Sequence, residues 1–330
     1  DLDLYVGGRH VPHQYPSPAT SMLLINNKGQ LENATERLAP DFKHIGMVTD
    51  AAWTDYDQDG DQDLMMVGEW MPLTMFENKN GVLNKIALKD FENTSGWWFS
   101  LESKDMDGDG DPDYIAGNLG LNYKYKTSEK APFDVYYNDF DGNGQYDIVL
   151  GYYNENKHFP LRGFSCSSEQ VPILKSTFKK YDVFASLQIE EVYGEDNLKQ
   201  SLHYKTQTFA SYYIENKGGG VFELQELPAQ AQWTNLNDIL LDDFDKDGHL
   251  DILAVGNLFV SEIETPRNDA GLGLFLKGNS KGQFESIPML ASGFYAPLDA
   301  KKVISMDVQG KPHIVVVNNN APLQLFELRN

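Results

Sequence analysis

A nine-residue aspartate-rich segment occurs four times in this chain of 330 residues, each time with the same internal spacing. Carboxylates placed this close together repel each other by roughly 1 kcal/mol per pair even in water. The glycine at the sixth position of each copy allows a sharp bend with positive φ. The repetition therefore indicates a loop that wraps around a cation rather than a solvated acidic turn. The copies, named here the first to fourth loops, are DYDQDGDQD (55–63), DMDGDGDPD (105–113), DFDGNGQYD (139–147) and DFDKDGHLD (243–251).

Every second residue of such a loop can present an oxygen atom to an enclosed ion. We predict side-chain ligands at positions one, three, five and nine, and a backbone carbonyl at position seven, where the residue type varies. Oxygen ligands on a tightly bent loop select a hard cation, and calcium is the expected one outside cells. The candidate ligands of the four intact sites are Asp55, Asp57, Asp59, Asp61 and Asp63; Asp105, Asp107, Asp109, Asp111 and Asp113; Asp139, Asp141, Asn143, Gln145 and Asp147; and Asp243, Asp245, Asp247, His249 and Asp251.

An EF-hand loop also begins with alternating aspartates and a glycine, but it needs a bidentate glutamate at its twelfth position and a helix after it. The twelfth positions here are Met66, Ala116, Leu150 and Ala254. None of these side chains can bind a metal ion, and the residues after each loop are typical of a β-strand. The EF-hand is therefore excluded.

The loops and the segments that follow them resemble the calcium-binding FG-GAP/VCBS-type repeats of integrin-α-like β-propellers. The segments at 21–35, 73–87, 210–227 and 272–287 each read as a strand, an Asn/Gly/Lys turn and a second strand. The resemblance implies an all-β fold of four-stranded blades. We predict that residues 1–330 form a single β-propeller domain, or a large part of one, with about six repeat units, of which the terminal ones are incomplete.

The two ends of the chain read as partial repeats. DLDLYVGG at 1–8 matches the end of a loop and the strand after it, so Asp1 and Asp3 are predicted to belong to a truncated metal site. We therefore expect the chain to be a piece of a longer protein. At the other end, 305–319 keeps the glycine and the strand but has Ser305, Gln309 and His313 at three ligand positions. We predict that this last unit binds no calcium.

The long interval between the third and fourth loops contains a segment without strand periodicity. Apolar residues recur at helical intervals between 167 and 204. We predict a small α-helical insertion at 160–204 within the fourth repeat, with the outer hairpin of that repeat resuming at about Thr206. The insertion is either a structural flap or part of a surface that binds a partner, because long insertions usually lie on the outside of a fold.

Charge and hydropathy narrow the possible partners. The formal net charge is −22 and the sequence shows no basic stripe, which argues against nucleic acid as a partner. The longest apolar runs are strand-sized, shorter than the ~20 residues that a transmembrane helix needs. We therefore predict no transmembrane segment in this piece.

The chain also resembles the C-terminal region of large secreted or outer-membrane-associated bacterial proteins of the VCBS and ASPIC/UnbV type. VGGR at 6–9, VGEWMP at 67–72 and CSSEQ at 166–170 carry this likeness. It implies an extracellular or cell-surface protein that belongs to an assembly at the outer membrane. The expected partner is another surface protein or a glycan.

We predict that the chain is a protein-interaction or scaffold module and not an enzyme. The alternative is a carbohydrate-binding module or a lyase-like enzyme on a propeller scaffold, because Arg9, His10, His13 and Tyr15 crowd one loop with residue types suited to uronate binding and proton transfer. The same residues could equally form a structural loop. Tryptophans are a second candidate surface, since they could stack on sugar rings or fill the space between sheets; they are Trp70, Trp97, Trp98 and Trp233.

Overall fold

The computed structural model describes residues 2–262 and 264–328, and its regular structure is mostly β. Within those residues the strands form six small sheets, and every strand pair is antiparallel. The all-β expectation is thus confirmed at the level of several small antiparallel sheets. Asp1, a predicted ligand, lies outside the described residues.

The first two sheets come from the first hundred residues. Sheet 1 has the order β1 (Leu4–Val6), β2 (Met22–Asn27) and β3 (Gln30–Asn33). Sheet 2 has the order β4 (Met47–Thr54), β5 (Asp63–Met71), β6 (Thr74–Lys79) and β7 (Val82–Ile86), and β8 (Gly96–Trp97) pairs with the far end of β5. The first loop joins β4 to β5.

Sheets 3 and 4 are nested in the chain. Sheet 3 has the order β9 (Ser100–Lys104), β10 (Asp113–Gly117), β15 (Tyr212–Asn216) and β16 (Phe222–Glu226). Sheet 4 has the order β14 (Leu202–Thr206), β11 (Phe133–Asn138), β12 (Asp147–Asn154) and β13 (Lys157–Pro160). The second loop joins β9 to β10, and the third joins β11 to β12.

The last two sheets follow in simple order. Sheet 5 runs β17 (Leu236–Asp242), β18 (Asp251–Gly256), β19 (Leu274–Lys277) and β20 (Glu285–Ser286), with the fourth loop between β17 and β18. Sheet 6 runs β21 (Ala300–Val308), β22 (Lys311–Asn318) and β23 (Gln324–Glu327).

Most helical residues lie between β13 and β14, in the part of the chain where the sequence predicts a helical insertion. The helices there are α2 (Phe164–Gln170), α3 (Ile173–Thr177), α4 (Tyr181–Ser186), α5 (Ile189–Tyr193) and α6 (Glu195–Gln200). They cover one face of sheet 4 through a shared core that includes Tyr136, Val149, Val171 and Ile189. The remaining helical pieces are α1 (Thr35–Leu38), α7 (Met289–Ser292) and the 3₁₀ turns Pro40–His44, Lys89–Phe91 and Ala229–Gln232. None of the helices in the described residues has the length and apolar character needed to cross a membrane.

The strand pairing corrects one expectation. We expected the hairpin that begins at about Thr206 to complete the sheet of the third loop. Instead the strand Leu202–Thr206 pairs with β11, and the following hairpin pairs with β10 of sheet 3. Residues 118–211, including all of sheet 4, are therefore inserted between the second and third strands of sheet 3. The residues of the hairpin predict that it forms, but they do not indicate which sheet edge it joins.

Four strands, β4, β9, β17 and β21, lie side by side, each next to the following one. A residue five positions before a loop makes each connection. Asp50 Oδ2 accepts the Leu101 N–H at 2.9 Å, Ser100 Oγ donates to the Leu236 carbonyl at 2.8 Å, and Asp238 Oδ2 accepts the Val303 N–H at 2.7 Å. Sheets 2, 3, 5 and 6 thus form a continuous row. Sheet 4 is not a member of the row, but its edge strand β14 lies against β5 and β8 of sheet 2.

Candidate metal centres

Each of the four loops brings three carboxylates together. Ligand atoms of the residues at positions one, three and nine all lie within 4.8 Å of one another, and each group could hold a metal ion. The groups are Asp55, Asp57 and Asp63; Asp105, Asp107 and Asp113; Asp139, Asp141 and Asp147; and Asp243, Asp245 and Asp251.

The sixth-position glycine closes each loop onto its first aspartate. The Gly60 N–H donates to Asp55 Oδ2 at 3.1 Å, and the Gly110 N–H donates to Asp105 Oδ2 at 3.0 Å. The third and fourth loops repeat this bond at 2.8 and 2.9 Å. These glycines have φ values between 84° and 100°, a region that disfavours side chains. The glycine therefore fixes the side chain of the first ligand.

The middle of each loop is a pair of successive side-chain turns. Asp107 Oδ1 accepts the Asp109 N–H at 3.1 Å, and Asp109 Oδ1 accepts the Asp111 N–H at 2.9 Å. The corresponding bonds recur in the other three loops. The fifth-position side chains, Asp59, Asp109, Asn143 and Asp247, thus hold the backbone at position seven. The groups named above include none of the seventh-position residues Asp61, Asp111 and His249. Gln145, at the same position of the third loop, is exposed.

The ninth aspartate is the buried anchor of each loop. Asp63, Asp113, Asp147 and Asp251 are at most 4% exposed. One oxygen of each accepts the N–H of the second loop residue. In three loops the other oxygen accepts an N–H group in the third strand of the sheet or directly after it: that of Asn78 at 2.7 Å, of Asn216 at 2.9 Å, or of Gly278, the residue after β19, at 2.9 Å. The ninth position therefore joins the loop to its sheet.

Asp3 makes the same connection in sheet 1. Its Oδ1 accepts the Asn26 N–H at 2.9 Å, the bond expected of a ninth-position aspartate. Its role in a truncated metal site stays a prediction, since Asp1 lies outside the described residues.

The electrostatics of the loops favour a bound cation. Burial raises the pKa of Asp63 to about 6, although hydrogen bonds from Asn78 and Tyr56 oppose the shift. Burial likewise raises the pKa of Asp113 to about 6. The other loop carboxylates add to both shifts by repulsion. A divalent cation would stabilise the ionised forms, and an all-oxygen donor set suits calcium.

The predicted ligand loop near the start of the chain is organised around one glutamate, Glu69. Arg9 forms an ion pair with Glu69 at 2.8 Å, and the Tyr15 hydroxyl donates to the same carboxylate. Trp70 Nε1 donates to Tyr15 Oη at 2.6 Å, and burial raises the Tyr15 pKa well above its usual value. His10 and His13 are exposed beside this group. The structure thus brings Arg9 and Tyr15 together around Glu69, whose charge already neutralises the arginine.

The tryptophans divide between core and surface. Trp70 and Trp98 are 4% and 1% exposed, and Trp97 packs edge-on against Trp70 with ring centroids 5.0 Å apart. Trp70 and Trp98 fill the interior, as the packing alternative predicts, and Trp97 is half-buried beside them. Trp233 is 48% exposed and remains available for contacts.

A buried acid and two histidines in sheet 4 escaped the sequence analysis. Asp134 is 2% exposed, and its Oδ2 lies 3.1 Å from His158 Nε2 and 3.7 Å from His203 Nε2. Glu190 of α5 lies 3.5 Å from His158 Nδ1. Burial raises the pKa of Asp134, but the hydrogen bonds and charges of the two histidines outweigh it and lower the pKa overall. These residues lie far apart along the chain, so no local sequence motif indicates that they come together.

Comparison with known proteins finds a family match for one part of the chain. Residues 55–116, which contain the first two loops, match the FG-GAP-like repeat family. No curated protein matches the chain. The crystal structure of the V. cholerae biofilm matrix protein Bap1 is similar over 95% of this chain and 72% of that chain, with 10% identity and a TM-score of 0.31. A TM-score this low carries no argument about fold or function. The likeness to VCBS and ASPIC/UnbV-type proteins stays a prediction.

Proposed function

We propose that the chain is a calcium-binding β-propeller of FG-GAP type, or a large part of one, that acts as a protein-interaction scaffold outside the cell. The observation that carries the proposal is the group of three carboxylates that recurs with one hydrogen-bonding pattern in all four loops. The FG-GAP-like match over 55–116 supports the same reading. The row formed by sheets 2, 3, 5 and 6 is the arrangement expected of neighbouring blades.

In this proposal calcium acts on stability. Each ion binds the folded loop and not the unfolded chain. When the free calcium concentration is one hundred times the Kd of a site, binding at that site therefore stabilises the fold by about 2.7 kcal/mol. The residues that would hold the ion are those at positions one, three and nine, with the fifth side chain and the seventh carbonyl alongside. The ion would join the two strands that each loop connects.

We place the protein at the cell surface or in an outer-membrane assembly, with another surface protein as its partner. The geometry around Arg9 supports the carbohydrate-binding alternative less well, because the Arg9 guanidinium already forms an ion pair with Glu69. No catalytic role is proposed for any residue.

The test is thermal unfolding in calcium and in EDTA, with magnesium as a control cation. We expect calcium to raise Tm strongly and magnesium to raise it less, because magnesium demands near-octahedral geometry and sheds water reluctantly. An unchanged Tm on full chelation would refute calcium binding. A glycan array read with and without EDTA addresses the alternative, and calcium-dependent glycan binding would replace the protein-scaffold reading.

A further inference from the structure

The ninth aspartates reveal an equivalent position beside three of the loops. Asp63, Asp113 and Asp251 each accept one N–H from the end of the third strand of their sheets or the residue after it, namely that of Asn78, Asn216 or Gly278. The residue immediately before each donor therefore occupies the same place relative to the loop. Those residues are Glu77 in sheet 2, Glu215 in sheet 3 and Lys277 in sheet 5.

The lysine in sheet 5 is directed at the carboxylates of the fourth loop. Lys277 Nζ forms ion pairs with Asp245 and with Asp247, the latter at 2.8 Å. Asp245 is the third residue of the loop and belongs to its group of three carboxylates, and Asp247 is the fifth residue, a predicted ligand. The fourth loop thus has a cation of its own, supplied by the protein.

Sheets 2 and 3 have the opposite charge at this place. The Glu77 side chain is 16% exposed and pairs with Lys79 at 2.5 Å, and the Glu215 side chain is 13% exposed and pairs with Lys217. In both sheets the lysine lies two residues beyond the glutamate, and the glutamate engages it. Lys79 and Lys217 are close enough to Asp57 and Asp107 to interact with their charges. Within the described residues, however, these two lysines form ion pairs with glutamates and with no loop carboxylate, whereas Lys277 pairs with the fourth loop itself.

We propose that the four calcium sites are unequal, and that Lys277 makes the fourth loop a low-affinity site while the first and second loops bind tightly. This inference rests on the proposed function. A divalent ion in the fourth loop must displace the ammonium group or bind beside it. A unit charge about 5 Å from a divalent ion opposes binding by more than 1 kcal/mol even at the dielectric constant of water, which is roughly tenfold in affinity. The fourth loop would then fill only at high calcium.

Site-resolved calcium titration by NMR of the [¹⁵N]glycine-labelled chain tests the proposal. The N–H groups of Gly60, Gly110 and Gly248 each donate to the first aspartate of their own loop, so each signal reports one site. We expect the Gly60 and Gly110 signals to reach half-change at a free calcium concentration about tenfold lower than the Gly248 signal.

Substitutions assign the difference to the side chain. Lys277→Met should move the Gly248 midpoint about tenfold lower and leave the Gly60 midpoint unchanged, whereas Lys277→Arg should keep the wild-type order. Lys281→Met removes a charge from the same hairpin turn and is the matched control. Glu77→Lys should move the Gly60 midpoint upward by a similar factor. Preserved dispersion of the other glycine signals shows that each variant is folded.

The outcomes separate this inference from the proposed function. Equal midpoints for all glycines, or a Gly248 midpoint that Lys277→Met does not move, overturn the inference while calcium binding stands. Glycine signals that do not respond to millimolar calcium overturn both.

Discussion

Asp113 is expected to stabilise the fold even without calcium, because it anchors the second loop to its sheet. The variant Asp113→Ala separates this anchoring role from the proposed role as a calcium ligand. The side chain is 0% exposed and accepts three hydrogen bonds, from the N–H groups of Met106 and Asn216 and from the Tyr213 hydroxyl, at 2.9 to 3.0 Å. Each buried donor left without a partner costs about 1–3 kcal/mol. Water entering the space offsets part of this, and so does relief of the cost of burying an ionised carboxylate, since burial raises the pKa of Asp113 to about 6. We therefore expect the free energy of unfolding to fall by about 2 kcal/mol at pH 7 in EDTA.

The assay is urea unfolding in EDTA and again in saturating calcium. The variant should lose about 2 kcal/mol in EDTA and a further amount in calcium, because the proposed site in the second loop would lack one of its ligands. Asp109→Ala is the matched control, since it removes a calcium-loop carboxylate whose one hydrogen bond is exposed. It should cost less than about 1 kcal/mol in EDTA and show its main effect in calcium. If Asp113→Ala and Asp109→Ala were equal in EDTA, the anchoring role of the ninth position would be wrong.

Three further predictions concern the sheets rather than the loops. Burial and the nearby Asp50 carboxylate raise the pKa of Glu102 to about 7. The contribution of Glu102 to stability is therefore fully present below about pH 4.5 and is lost as the pH rises through 7. In urea titrations the free energy of unfolding of the wild type, relative to Glu102→Gln, should fall by about 1–2 kcal/mol over this range, a figure reduced for the partial exposure of the side chain. Gly256→Ala should lower Tm by several degrees, because its Cβ would lie 1.8 Å from the Asn235 carbonyl oxygen, whereas Gly163→Ala, with open space around it, should not. The depressed pKa of Asp134 stabilises the fold at pH values above the pKa of this group in the unfolded chain, and that stability is lost as the pH falls through the folded pKa. Asp134→Asn should therefore be less stable than the wild type at pH 7 and approach it as the pH falls below the ordinary aspartate range; a difference that stays constant with pH would contradict the ion-pair assignment.

The loops could be predicted because all their determinants are local. The alternating oxygens, the glycine at position six and the following apolar strand lie within about a dozen residues, and the structure places each one at the same point of the loop. The hairpin over 210–227 is also readable from its turn. Its assignment to sheet 3 was missed because β10 and β15 are separated by the whole of sheet 4, and no property of the hairpin marks the edge it joins.

The spacing of residues in the sequence could not predict which residues act on a loop from another strand. Glu77, Glu215 and Lys277 occupy one structural position but lie at different distances along the chain from the loops they face. Only the hydrogen bond to the ninth aspartate aligns them. The same holds for Arg9 and Tyr15, whose residue types suggested a ligand site and whose common partner, Glu69, lies in a different sheet.

Sheet 4 shows that the loop and the row of sheets obey separate constraints. The third loop keeps the carboxylate group and the glycine bond of the others. The residue five positions before it, Asp134, does not reach a neighbouring sheet as Asp50 and Asp238 do, but turns to two histidines of its own sheet. The group of three carboxylates is therefore a property of two strands and their connection, whereas the row depends on the hydrogen bonds that the preceding strand makes to its neighbour. A chain can insert such a unit, as here between β10 and β15, without breaking the row around it.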